Sequence, residues 1–256
     1  MKKKLVAISL VVAMLAVAVI GGSLAYFTDT TEAKVNEFTV GNVNIDLTEP
    51  KWKGDATLMP GVSYEKDPTI TVAEKSQDAY VFLKLDMNKY VSLVNLMGVD
   101  AYKNSIGGLQ GAYPGFMAFA QLLANDNALR AAVVDRWFTG IEHADWKVMN
   151  LDEITEWVSG AGSQTNPTKL EIVLGYIGSD DDTLSAGESV TFMTAFGMPD
   201  TVTASMFNGE DAYYIDGVSK SNFNTDASTF KMTFTAYAIQ AADLDTIDAA
   251  YAALFK

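Results

Sequence analysis

Cysteine and histidine are nearly missing from this 256-residue chain, which contains no cysteine and one histidine, His143. Without cysteine there is no disulfide and no thiolate ligand, so the fold of an exported protein would depend on its hydrophobic core. A catalytic zinc site needs about three protein ligands, commonly two histidines at helical spacing beside a glutamate. Glu142 and Asp145 flank His143, but neighbours in sequence do not all point to one side of an element. We therefore expect no enzyme, and a loop or strand-edge role for His143.

Positive charge is also scarce. Lysine and arginine total 18 against 32 acidic residues, which leaves a formal net charge of −14. Such a chain repels nucleic acid and anionic surfaces, and no basic stripe interrupts the acidic composition. We expect no nucleic-acid partner, whereas divalent cations or basic polymers could bridge copies of an acidic chain.

The beginning of the chain has the pattern of an export signal. Lys2–Lys4 precede an apolar run from Leu5 to Ile20, and small residues follow in Gly21–Ala25. The run of about sixteen residues is shorter than the roughly 20 that cross a bilayer as a helix. The pattern predicts a signal peptide over residues 1–25, cleaved between Ala25 and Tyr26. An uncleaved membrane anchor is the alternative.

Apolar residues after the signal recur mostly at every second position, which is typical of strands. Apolar residues alternate with polar ones along Val43–Leu47, and along Val81–Met87 they alternate with Phe82, Lys84 and Asp86. Both segments predict strands with one face toward solvent, and in the second strand that face includes Phe82. Leu170–Ile177, Val190–Phe196 and Phe230–Ile239 carry apolar residues on both faces. This pattern predicts a mainly β fold, an antiparallel sandwich forming one domain from residue 26 to 256.

Helical segments interrupt the strands. Residues from about 91 to 136 form a predicted insertion, with helices over Phe116–Leu123 and Ala128–Arg136. Asn150 and Glu153 have the spacing of a capping box before another helix. Near the end of the chain Asp245 is the predicted cap of a helix whose apolar face includes Ile247, Tyr251 and Leu254.

Two blocks of the sequence resemble a known family. Gly22–Asp29 with Asn36–Leu47 forms the first block, and Leu58–Val72 with Asp78–Phe82 forms the second. These residues resemble the TasA/camelysin family of secreted biofilm matrix proteins over about the first 85 residues. The resemblance implies a jelly-roll topology, cleavage by a SipW-type signal peptidase and an extracellular location. It also implies head-to-tail self-assembly into fibres by strand donation, with other matrix proteins as further partners.

The segment freed by cleavage, residues 26–37, is the strand donor that this resemblance implies. Its apolar anchors are Tyr26 and Phe27 at the start and Val35 and Phe38 at the other end. An extended segment gains main-chain hydrogen bonds when it pairs with an open sheet edge. The polar stretch Thr28–Glu32 leaves the alternative that these residues are only a disordered tail.

Other features leave further hypotheses open. Asp180, Asp181 and Asp182 offer oxygen ligands for calcium, although an acidic turn between strands is the commoner explanation. The four tryptophans could line a sugar-binding surface or pack in the core. A monomeric adhesin that binds through the insertion at 91–136 is the alternative function, and a camelysin-like metalloprotease is a third. The tryptophans are Trp52, Trp137, Trp146 and Trp157.

Overall fold

The fold was obtained as a computed structural model, which describes residues 43–54, 56–88, 93, 96–98, 100–101, 123–124, 128–152, 170–207 and 230–256. The chain divides into two units, Met1–Val40 and Gly41–Lys256, and all the described residues lie in the second. The signal peptide, its cleavage site and the donor segment lie outside the described residues, as does most of the insertion at 91–136. Those assignments stay predictions.

Ten strands make up most of the described structure, and all of them pair antiparallel. In chain order they are β1 (Ile45–Thr48), β2 (Val62–Glu65), β3 (Thr69–Val72), β4 (Ala79–Met87), β5 (Phe138–Thr139), β6 (Trp146–Val148), β7 (Leu170–Tyr176), β8 (Ser189–Thr191), β9 (Ala195–Met198) and β10 (Met232–Gln240). They form three sheets with the strand orders β1-β3-β8, β10-β4-β7-β6 and β2-β9-β5. The prediction of a mainly β, antiparallel fold is confirmed, whereas the jelly-roll connectivity stays a prediction.

One hydrophobic cluster joins the three sheets. Ile70 and Val72 of β3 and Leu83 and Leu85 of β4 are fully buried, and Phe196 of β9 is 5% exposed. Burying a side chain of this size contributes about 1.5–3 kcal/mol. A continuous core of this kind lets the fold do without disulfides.

Helix α3 (Ile247–Phe255) covers the opposite face of the four-stranded sheet. Phe82 and Val173 point to this face and pack with Ile247 and Tyr251 of the helix in a second hydrophobic cluster. Phe82 is fully buried, so its predicted place on a wet face is wrong. The period of two identified the strand but could not show that a distant helix covers its second face.

The other α-helices whose bounds the structure gives are short, α1 (Ala128–Val133) and α2 (Ala204–Phe207). Further helical residues are described at 93, 96–98, 100–101, 123–124 and 151–152. Helix α1 was predicted to continue to Arg136, but turns begin after Val133. The cap of α3 is Thr246, whose Oγ1 accepts a hydrogen bond of 3.2 Å from the Ala249 amide. The predicted cap, Asp245, is one residue too early.

Asn150 lies directly before the helical residues Leu151 and Asp152, where its spacing with Glu153 predicts the start of a helix. Glu153 lies outside the described residues, so the capping box stays a prediction. The Nδ2 of Asn150 donates to the Glu171 carbonyl at 2.9 Å, and its Oδ1 accepts from the Val173 amide at 3.0 Å. Both groups of the side chain are thus engaged with the backbone of β7. Asn150 follows β6 closely, so its side chain prolongs the pairing of β6 with β7 beyond the last strand residue, Val148.

The predicted single strand over Val190–Phe196 is two strands in different sheets. β8 pairs with β3, whereas β9 pairs with β2 and β5. Phe192 and Met193 lie between them, and both are buried. Consecutive residues of a regular strand point to opposite faces, so burying both in one core requires the chain to bend there.

Candidate functional site

One edge strand of this fold differs from the others in length. In the described part of the chain the three sheets end in six edge strands, and five of these have two to four residues: β1, β2, β5, β6 and β8. The sixth, β10, has nine residues and extends about 30 Å at the usual rise of a strand. Soluble proteins generally keep their edge strands short. β10 is therefore the edge most capable of accepting another strand.

The composition of β10 also lacks the usual protection of an edge. Its sequence, Met-Thr-Phe-Thr-Ala-Tyr-Ala-Ile-Gln, contains no charged residue and no proline. Charges, prolines and bulges normally prevent edge strands from pairing with other chains. Lys147 gives such a charge to β6, the edge at the other end of the same sheet. β10 has no equivalent between Met232 and Gln240.

The hydrogen bonds of β10 show which of its main-chain groups face outward. The Lys231 carbonyl accepts from Asn88, and the Ala241 amide donates to Asp78, so odd-numbered residues bond toward β4. Main-chain groups alternate in direction along an antiparallel strand. Even-numbered residues therefore direct their N–H and C=O groups away from β4, toward an edge where no described strand pairs. These residues are Met232, Phe234, Ala236, Ala238 and Gln240.

Exposure of the core differs between the two sides of the sandwich. On one side Trp146 of β6 packs edge-on against Phe192, which follows β8, with ring centroids 5.5 Å apart, and both side chains are buried. On the other side β1 and β10 approach each other without pairing. Core-facing residues of these two strands are only half-buried. We call this side the open seam, and its residues are Val43, Ile45, Leu47, Phe234, Ala236 and Ala238.

A charged group closes one end of the open seam. Lys66 is 7% exposed, and its Nζ lies 2.6 Å from Oε1 of Glu49, just after β1. The same Nζ lies 4.7 Å from the ring centroid of Trp52 and 5.2 Å from that of Phe234 in β10. Because the group bridges the two strands at Phe234, the seam is open mainly alongside Ala236 and Ala238.

His143 lies in a 3-10 helix, His143–Asp145, immediately before β6. Its Nε2 is 2.7 Å from Oδ1 of Asp135. Burial raises the pKa of Asp145, and the charge of Glu142 raises it further. In the part of the chain that the structure describes, no three histidine, aspartate or glutamate side chains are grouped so that they could hold a metal ion.

A cavity of about 700 Å³ lies beside His143. Arg130, Glu142, His143 and Lys147 are among the residues that line it. His143 is bonded to Asp135, and the Lys147 Nζ lies 2.7 Å from Asp248. The His143 ring and the Lys147 ammonium are thus both engaged with carboxylates of the chain.

The three aspartates at 180–182 form a tight turn. Oδ1 of Asp181 accepts hydrogen bonds from the Thr183 Oγ1 at 2.8 Å and from the Ser179 Oγ at 3.0 Å. These bonds hold the pKa of Asp181 below its usual range. Asp182 adopts a φ of +58°, which aspartate tolerates better than most residues. The Asp181 carboxylate thus organises the turn, and the calcium hypothesis gains no further ligand among the described residues.

The described tryptophans mostly lie in the core. Trp137 is fully buried and Trp146 is 5% exposed, so neither presents a ring to a sugar. Trp52 is half-buried against Lys66, and Trp157 lies outside the described residues.

The sequence pattern predicts β10 as a strand but does not show that this strand lies at the edge of a sheet. The apolar residues on both of its faces indicated a buried strand, yet its neighbours on one side are absent from the described chain. The uncharged run Met232–Gln240 was the available signal, but a central strand has the same composition.

Residues 1–88 match the family model described as camelysin metallo-endopeptidase. This match confirms the resemblance of the N-terminal third of the chain to the TasA/camelysin family. No curated protein and no solved structure matches the chain. The description of the family implies a metal centre, and the described residues do not fit one, because no three of their histidine, aspartate and glutamate side chains are grouped to hold a metal ion. In the described ranges, no helix has the length and apolar character needed to cross a membrane.

Proposed function

We propose that this chain is an extracellular structural protein, the subunit of a fibre in a biofilm matrix or on a cell surface. Subunits join head to tail when the segment at residues 26–37 of one copy is added as a strand to the next. The observation that carries this proposal is the nine-residue, uncharged edge of β10. The family match over residues 1–88 supports it, because the matched region includes the donor segment.

Strand addition explains why such a contact would give fibres. The donor segment and β10 are different surfaces of the same chain, so each copy offers one donor and one acceptor. Head-to-tail contacts of this kind produce filaments when their rotation does not close a ring. Each junction gains main-chain hydrogen bonds along the edge and covers apolar side chains at the seam.

Signal cleavage acts as the switch in this proposal. While residues 1–25 remain attached, the donor segment is held at the membrane and cannot reach a neighbouring subunit. A SipW-type signal peptidase that cuts between Ala25 and Tyr26 would release it. Export thus precedes assembly, and other matrix proteins could join the fibre afterwards.

The net charge predicts how assembly depends on salt. Without the three lysines of the signal, 15 cations remain against 32 carboxylates, a formal charge of −17. Like-charged subunits repel each other, and salt at about 0.15 M screens that repulsion beyond roughly 8 Å. Fibres should therefore form faster at physiological salt than at low salt.

Negative-stain electron microscopy of purified residues 26–256 tests the proposal, at increasing protein concentration and with or without calcium. We expect regular filaments from this chain and only folded monomers from the same chain lacking residues 26–37. Circular dichroism establishes that both chains are folded. Filaments from the shortened chain would refute donation by this segment, and monomers from both chains under every condition would refute the fibre function.

A metallo-endopeptidase, the activity in the family description, is not proposed for this chain. One histidine and no cysteine leave the carboxylates as the main candidate ligands, and among the described residues no three such side chains are grouped to hold a metal ion. Zinc bound in equimolar amount, together with proteolysis that chelation abolishes, would contradict this conclusion.

A further inference from the structure

We infer that the acceptor is the open seam, where the donor segment of a second copy pairs with the outer edge of β10 beside β1. This inference rests on the proposed fibre function and adds to it the place where the donor binds. The described residues include six edge strands, and β10 differs from the other five by its length of nine residues.

The main chain of β10 provides the hydrogen-bonding capacity. Even-numbered residues from Met232 to Gln240 direct both main-chain groups outward, as the bonds of Lys231 and Ala241 to the β4 side establish. A donor of twelve residues is long enough to pair with all nine residues of the edge. The other edges have at most four residues, so they would form far fewer bonds.

The side chains at the seam supply the apolar contact. Ala236 and Ala238 point toward the core but are only half-buried, whereas Leu83 and Val81, their partners on β4, are fully buried. Part of the apolar surface of the two alanines therefore stays uncovered beside the core of the sandwich. Apolar side chains of a donor, such as Val35, would cover that surface and exclude water from the seam.

The course of the chain makes a second copy the occupant. Described residues begin at Val43, next to β1 and hence beside the seam. Residues 26–42 can extend over roughly 60 Å, twice the length of β10, which is far enough to reach a neighbouring subunit. Phe234, Ala236 and Ala238 are half-buried, so part of their apolar surface is available to another molecule.

Two substitutions of Ala238 test the acceptor in the chain spanning residues 26–256. Ala238→Pro removes an outward N–H and leaves the bonds to β4, because proline is tolerated where the amide of an edge strand faces solvent. Ala238→Lys places a charge at the seam, as natural edges do. Ser63→Lys is the control, since Ser63 is exposed on the edge strand β2. We expect folded monomers from both Ala238 variants and filaments from Ser63→Lys.

The outcomes separate the acceptor from the fibre function. Filaments from the parent chain and from both Ala238 variants would refute the acceptor while leaving the fibre function intact. A parent chain that stays monomeric would refute the fibre function, and the acceptor with it.

Amide hydrogen exchange keeps the inference testable if an Ala238 variant fails to fold. In the monomer the odd-numbered amides of β10 are protected by β4, whereas those of Phe234, Ala236 and Ala238 should exchange fast. We expect fibre formation to slow these three amides by at least about 100-fold. Unchanged exchange in the fibre would refute the acceptor. Slow exchange of these three amides already in the monomer would refute a second copy as the occupant, because the chain would then be covering its own seam.

Discussion

The ammonium group of Lys66 lies 5.2 Å from the ring centroid of Phe234, which joins the end of β2 to the long edge strand β10. Glu49 completes the arrangement at 2.6 Å, and Trp52 covers it from another side. A cation over an aromatic face contributes about 0.5–2 kcal/mol, more as water is excluded. The charge therefore stabilises the contact between two sheets at the closed end of the open seam.

Lys66→Met should lower the free energy of unfolding by about 1–3 kcal/mol, since it leaves Glu49 without its partner while keeping an apolar stem. Glu49 is 26% exposed, so water compensates part of the loss. Lys84→Met is the matched control, because Lys84 lies farther from its carboxylate, 3.7 Å from Glu171, and Glu171 is 44% exposed. Urea unfolding measures both variants. Equal losses would show that burial does not strengthen the Lys66 pair.

Asn150→Ala should destabilise the four-stranded sheet by about 1–3 kcal/mol, because it leaves the buried Val173 amide without its acceptor. Asn150→Asp keeps that acceptor and loses only the bond to Glu171, so it should cost less near neutral pH. Asn44→Ala is the control, since Asn44 is exposed. Chemical denaturation of the three variants ranks these losses. A cost for Asn44→Ala as large as that for Asn150→Ala would contradict the assignment.

Alternation in the sequence located strands well because the period of two is a local property. Val81–Met87 lies within β4, and Leu170–Ile177 corresponds to β7 with one residue fewer. The role of Phe82 depended on α3, more than 160 residues away in the chain. Asn150 has the spacing of a cap, and its side chain also bonds the backbone of β7, which that spacing could not show. Such outcomes are decided by contacts between distant residues, which local patterns do not contain.

Only one partner of the proposed contact, the donor segment, was predictable from the sequence. The apolar anchors of the proposed donor segment are visible in the sequence, and Phe230–Ile239 is predicted from the sequence as a strand. Whether β10 lies at an edge depends on its pairing with β4, some 150 residues earlier. The open seam further requires β1 beside β10, a contact between two separate sheets. Strand order of this kind is poorly specified by one sequence.

Thr246→Ala should lower the stability of the fold by about 1 kcal/mol, because its Oγ1 accepts the Ala249 amide at the start of α3. Asp245→Ala is the control, and it should change stability by less, since Asp245 is exposed and precedes the cap. Thermal unfolding followed by circular dichroism measures both. A larger loss for Asp245→Ala would restore the cap that the sequence predicted.

Asp181→Ala should destabilise the turn at 179–183 by about 1 kcal/mol near neutral pH, because Thr183 and Ser179 lose their common acceptor. Asp181 is exposed, so solvent keeps this loss small. Asp180→Ala is the control, since Asp180 is an exposed neighbour of the same charge.

The loss caused by Asp181→Ala should also depend on pH in one direction. Hydrogen bonds from Thr183 and Ser179 lower the pKa of Asp181 in the folded chain, so the folded state favours the ionised carboxylate. That stabilisation is present above the unfolded pKa of about 3.9 and is lost as pH falls through the lower folded value. Denaturation between pH 7 and pH 2 should therefore show the parent chain and Asp181→Ala converging below about pH 4. A difference that stays constant to pH 2, or that widens in acid, would mean that the turn does not depend on the charge of Asp181.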